Sequence, residues 1–62
     1  MKLKELRKSR GIIRAWLAKK VGITPNYLYE LESGRKRITS KMRAKLARVL
    51  NEDQEKIQLW GD

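Results

Sequence analysis

The sequence predicts an all-α domain of five short helices. Three observations carry this. Turn-forming residues at Gly11, Gly22 to Pro25, Ser33-Gly34 and Asn51 to Asp53 divide the chain into five segments. Apolar residues inside the segments recur at spacings of three and four, as one face of a helix requires. No segment reads as a strand.

The first segment, about Lys2–Arg10, places Leu3 and Leu6 three apart among good helix formers, with Gly11 just beyond to stop it. The second, about Ile13–Lys20, leads into Leu17 and Val21 four apart, with Ala18 beside them small enough for another helix to approach closely. Gly22 ends it. The third has the clearest start in the chain: the Thr24 hydroxyl can cap free amides, and Pro25 at the first helical position lacks only an N–H that would be unpaired anyway. Leu28 and Leu31 form its apolar stripe, and Ser33-Gly34 closes it. The fourth runs from a Thr39 cap through Met42, Leu46, Val49 and Leu50, with Lys41, Arg43, Lys45 and Arg48 on its other face. That basic face is either solvated or a binding surface, since long basic side chains also cover apolar ground with their stems. The fifth starts from an Asp53 cap and carries Ile57 and Trp60 three apart, a helix short enough to fray.

With 62 residues there is room for one domain, 1–62, and one modest core. The chain has no cysteine and no histidine, which removes disulfides, the usual zinc ligands and the commonest general base. It also lacks a glycine-rich phosphate loop. The expectation is therefore no metal, no cofactor and no enzyme activity. No apolar stretch approaches a membrane span or a secretory signal, so a cytoplasmic protein with no membrane partner is expected.

Sixteen Lys and Arg face seven Asp and Glu, a net charge of +9. The charge is segregated: residues 1–20 hold eight cations and one acid, residues 34–50 seven cations and no acid, residues 51–62 one cation and four acids. Such a balance serves either solubility or a polyanionic partner, and the acid-free run favours the polyanion.

Between Leu17 and Leu31 each residue has a mechanical task. Ala18 lets two helices cross, Gly22 makes the turn, Ile23 plugs the angle, and Leu28 and Leu31 hold the second helix to the core, which together describe a helix-turn-helix. Pro25, Asn26, Tyr27, Tyr29 and Glu30 remain outward in the first two turns, the part of a recognition helix that enters the major groove. Asn26 can present a paired donor and acceptor to adenine. Glu30 either accepts from cytosine N4 or orients a nearby arginine. Tyr27 either touches sugar, phosphate or a thymine methyl, or simply packs. Arg35-Lys36-Arg37, just past a helix end, suits a loop along the phosphate backbone, supplying affinity without sequence information.

Leu3-Lys4-Glu5-Leu6-Arg7, Gly11-Ile12, Leu17-Ala18, Val21-Gly22-Ile23-Thr24, Tyr27-Leu28, Leu31-Glu32-Ser33-Gly34-Arg35 and Leu46-Ala47-Arg48-Val49-Leu50 together resemble the Cro/phage-repressor (XRE-like) type of helix-turn-helix family. The resemblance spans almost the whole chain. It implies a compact five-helix, lambda-repressor-like fold that binds operator DNA as a two-fold dimer, third helix in the major groove. Carried over by position, it places Pro25, Asn26 and Glu30 facing bases, and Arg14, Thr24, Ser33 and Arg35–Arg37 on phosphates. It also implies a partly buried ion pair between Arg7 and Glu32.

Two departures stand out. The family usually has Ser, Thr or Asn and then Gln after the Gly11-Ile12 position; here Ile13 and Arg14 remove the cap and substitute a permanently charged donor. Trp16 occupies a normally polar position and shares a face with Ile13, leaving core packing, a wedge against DNA sugar, or a partner patch open. Ile57, Leu59 and Trp60 are a large apolar load, serving either the core or a dimer contact.

The resulting expectation is a sequence-specific double-stranded DNA-binding transcriptional regulator. It would be a repressor acting as a homodimer on an inverted repeat and associated with the nucleoid through DNA. The rival is an interaction module that binds a protein partner in antitoxin or anti-repressor fashion, with Ile13, Trp16 and Trp60 as anchors. With no room for a ligand domain, control by concentration or by a protein antagonist is the natural expectation.

Overall fold

The computed structural model describes residues 1–60, which contain four α-helices and one 3-10 turn. These are α1 (Leu3–Ser9), α2 (Arg14–Val21), α3 (Pro25–Glu32) and α4 (Ser40–Leu50), followed by the turn at Gln54–Lys56. Helix α2 packs against both α3 and α4, and the 3-10 turn closes onto α4.

Each helix stops in the same way. Gly11, Gly22, Gly34 and Asn51 adopt left-handed φ values of 67°, 79°, 82° and 55°. The N–H of the next residue then donates back to a carbonyl five positions earlier: Ile12 to Arg7, Ile23 to Ala18, Arg35 to Glu30 and Glu52 to Ala47, at 2.9–3.2 Å. At Gly22 a Cβ would meet nothing within 4 Å, so the left-handed backbone and not crowding selects glycine. Asn51 does the same work without being glycine, because its short polar side chain tolerates that region.

Helix starts are less uniform. Thr24 and Thr39 accept from the N–H groups of Tyr27 (3.0 Å) and Met42 (3.2 Å), satisfying amides that a helix cannot pair internally. Ile13, ahead of α2, has no side-chain cap, as its hydrocarbon chemistry dictates.

The core joins Leu3, Leu6, Leu17, Ala18, Val21, Leu28, Leu31, Ile38, Leu46, Ala47, Leu50 and Ile57, all buried. Full burial of a leucine contributes roughly 1.5–3 kcal/mol. The complete burial of Ala18 is what lets α2 lie close to its neighbours. Ile38 is a core member that the helical spacing does not reveal, since it sits outside any helix.

Among the described residues no fifth α-helix is formed: Asp53 makes no side-chain cap bond, and one 3-10 turn follows it. The physical reason lies in where the backbone groups go. Beyond the turn, Leu59 O accepts from Ile38 N–H at 2.6 Å and Gln58 N–H donates to Met1 O at 3.0 Å. Tertiary partners thus replace the internal bonds that so short a helix struggles to nucleate. This segment drives Ile57 fully into the core, so Ile57 is unavailable as a dimer contact, while Trp60 stays 55% exposed.

Core packing of Ile13 and Trp16 is likewise excluded: they are 69% and 43% exposed. Ile13 stands ahead of the first turn of α2, where no other element covers it, and Trp16 is flanked by Lys20, whose ammonium lies 5.3 Å from its ring centroid. The basic face of α4 divides. Lys41, Lys45 and Arg48 line a groove with Lys19 and Lys20, whereas Arg43 is half-buried with its Nε unpartnered.

Candidate nucleic-acid interface

The turn from α2 to α3 is held by the left-handed Gly22, by the Ile23 N–H bond to Ala18 O, and by the Thr24 cap. Leu28 and Leu31 bury one side of α3. Helical geometry then leaves Pro25, Asn26 and Tyr29 exposed and Tyr27 and Glu30 half-buried. The exposed side of the first turns is therefore Pro25 and Asn26, with Glu30 one turn on from Asn26.

Tyr27 divides its surface between two tasks. It packs partly against the core, and the Lys36 ammonium sits 5.6 Å from its ring centroid. Glu30 contributes its backbone: its carbonyl accepts from Arg35 N–H (3.0 Å), Lys36 N–H (3.3 Å) and Ser33 Oγ (3.3 Å). These bonds fold the chain sharply after α3. With Ile38 buried at the far end, Arg35, Lys36 and Arg37 are left exposed on a short loop anchored on both sides.

Behind α3 lies a charge cluster that ties three elements together. Arg7 on α1 donates through Nε to Glu32 Oε2 at 2.6 Å and through Nη2 to Glu32 Oε1 at 3.2 Å. Its Nη1 donates to Ile12 O at 2.7 Å. Arg7 and Glu32 are 6% and 2% exposed, so this is a buried pair and not two surface charges. Arg14, opening α2, adds a bond from Nε to Glu32 Oε1 at 3.1 Å, and its guanidinium carbon lies 5.2 Å from the Tyr29 ring centroid. Spacing along the chain could not reveal this second partner, because Arg14 and Glu32 lie eighteen residues apart.

The structure thus places Arg14, Thr24, Ser33 and the Arg35–Arg37 loop around the ends of α2 and α3, with Asn26 and Glu30 between them along α3. Arg14 is partly committed to Glu32, with its side chain 34% exposed. Among the described residues no group of three His, Cys, Asp or Glu is placed to hold a metal ion. No helix among them is long and apolar enough to cross a membrane.

No curated protein and no solved structure matches the chain. A family model described as helix-turn-helix matches residues 3–53, a span running from the first residue of α1 to the start of the 3-10 turn. That match covers most of the chain and all four helices, so the protein belongs to the helix-turn-helix family of DNA-binding domains, of the XRE/Cro type.

Proposed function

We propose that the chain is a sequence-specific double-stranded DNA-binding transcriptional regulator, a repressor acting as a homodimer on an inverted-repeat operator, and not an enzyme. The observation that carries this is the exposed start of α3. Pro25 and Asn26 stand free of the core, and cations lie at both ends of the motif, Arg14 on one side and Arg35 to Arg37 on the other. Phosphate contacts position such a helix, and base-edge contacts specify the site. Asn26 suits adenine, while Glu30 accepts from cytosine and repels phosphate, adding discrimination. In this reading the protein is cytoplasmic and held on the nucleoid by DNA. Trp60 and Trp16, both exposed, are the apolar residues offered for a dimer or partner contact.

Selection from random duplexes tests the reading. An enriched inverted repeat is expected, and Asn26→Ala and Glu30→Ala should each relax base preference at one position by about 1–3 kcal/mol. No enriched motif, or unchanged preference in both variants, would sink it.

A second reading has one observation in its favour. Gly11, Ile12, Ile13 and Trp16 line a shallow, mainly apolar depression, a surface suited to a protein partner or antagonist. A monomer whose duplex affinity vanishes at physiological salt would favour that role.

A further inference from the structure

Five cations surround one groove between α2 and α4. Lys19 and Lys20 stand on the α2 side and Lys41, Lys45 and Arg48 on the α4 side, with Val21, Gly22, Ala44 and Val49 completing the lining. Its volume is about 570 Å³, within the roughly 300–1,000 Å³ of ligand sites. No carboxylate lines it. Glu52, Asp53 and Glu55 line a separate depression that shares only Ala44 and Arg48 with it. Among the described residues none of the five cations is ion-paired. A concave surface lined by one sign of charge focuses its field and raises the local concentration of opposite charge.

The floor decides which polyanion fits. Val21 is buried, Val49 half-buried and Ala44 exposed, so apolar ground lies between the cations. Lys41 and Arg48 are seven positions apart on α4, about 10 Å at a rise of about 1.5 Å per residue, which is the length of about three residues of extended peptide. A phosphodiester backbone brings charge and no aliphatic group to such a floor. A peptide that mixes Asp and Glu with Leu or Val brings both. No residue of α3 or of the Arg35–Arg37 loop lines the groove, so an occupant leaves the exposed start of α3 uncovered.

We propose that the groove between α2 and α4 docks a short acidic segment of a partner protein, its carboxylates against Lys19, Lys20, Lys41, Lys45 and Arg48 and an aliphatic side chain on the floor at Ala44. This gives the basic face of α4 a task of its own, and it stands whether or not the chain binds DNA. The occupied surface is distinct from the depression at Ile13 and Trp16, with which it shares no lining residue.

The test is fluorescence anisotropy of a fluorescein-labelled peptide, Glu-Leu-Glu-Asp-Leu-Glu, with the full chain at about 150 mM salt, where exposed charges more than about 8 Å apart are largely screened. Each exposed ion pair contributes up to about fivefold, so Lys41→Glu, Lys45→Glu, which turns two attractions into two repulsions, should weaken binding at least about tenfold. Both positions are exposed, so the core is untouched. Lys4→Glu, Lys8→Glu has the same net charge with its changes on α1, and screening should hold its loss below about threefold. A peptide with serine in place of leucine should bind more weakly than the leucine peptide, and the leucine peptide should shift the backbone amide resonances of Lys20, Ala44 and Lys45.

No binding, an equal loss in the two double variants, or no preference for the leucine peptide overturns the proposal. A random-sequence duplex that shifts the same three amides also overturns it, by making the groove part of a nucleic-acid surface. So does self-association of the free chain that Lys41→Glu, Lys45→Glu abolishes in sedimentation, which would make the occupant a second copy.

Discussion

Replacing Glu32 by alanine deletes the carboxylate on which three arginine N–H donors converge, Arg7 Nε and Nη2 and Arg14 Nε, at 2.6–3.2 Å. Of the three bonds that Arg7 makes, only the one to Ile12 O survives, and its guanidinium stays in a site that is 6% exposed. Removing one partner of a buried pair costs about 3–5 kcal/mol, because the remaining charge is neither hydrated nor paired. A domain of 62 residues has roughly 3–9 kcal/mol in all, at about 0.05–0.15 kcal/mol per residue. Glu32→Ala should therefore bring the domain to the edge of unfolding. Its thermal midpoint should fall by about 12–40 °C, at about 4–8 °C per kcal/mol for a chain of this size. Circular dichroism melts and urea titrations of both proteins give the number. The double variant Arg7→Met, Glu32→Leu separates unpaired charge from lost packing, since an apolar pair of similar volume is often neutral or better. A Glu32→Ala stability within about 1 kcal/mol of the parent would refute the reasoning, as would a double variant no more stable than the single.

Thr24→Ala removes the cap that accepts from Tyr27 N–H and should cost about 1 kcal/mol, read as a lower midpoint in the absence of DNA. Recovery of that stability by Thr24→Asp, which restores an acceptor, would confirm capping as the cause; no loss in Thr24→Ala would refute it. Glu52 supplies a pH test. The Asp53 N–H donates to its Oε1 at 3.0 Å, and this bond, with Lys56 and Arg10 nearby, holds its carboxyl below the ordinary value of 4.5. A depressed native pKa contributes stability above the unfolded value, lost as pH falls through the native one. The gap in midpoint between the parent and Glu52→Gln should accordingly be present at neutral pH and close as pH drops below 4.5. A gap that persists at low pH would rule out this carboxylate as its source.

Much of the candidate interface was legible in local chemistry. Thr24-Pro25 announces a helix start because capping and proline geometry act within three residues, and Gly22 announces a left-handed stop because no neighbour has to be known to see it. The leucines of α3 mark its buried side, which by subtraction leaves Pro25 and Asn26 outside. The Arg7 and Glu32 positions came from resemblance, since nothing local joins residues twenty-five apart.

What the sequence by itself determined is the set of four helix stretches, the turn between α2 and α3, and the segregated charge, all consequences of interactions a few residues long. Only the tertiary structure decided the rest. It made Ile38 and Ile57 core residues by docking the segment after α4 against Ile38 and Met1, so that backbone bonds to distant partners took the place of a fifth helix. It also left Ile13 and Trp16 on the surface, because no element lies across that face of α2. Finally, it turned Arg14 from an isolated charge into the free edge of a buried cluster, through a contact set by how α1, α2 and α3 meet and by no spacing along the chain.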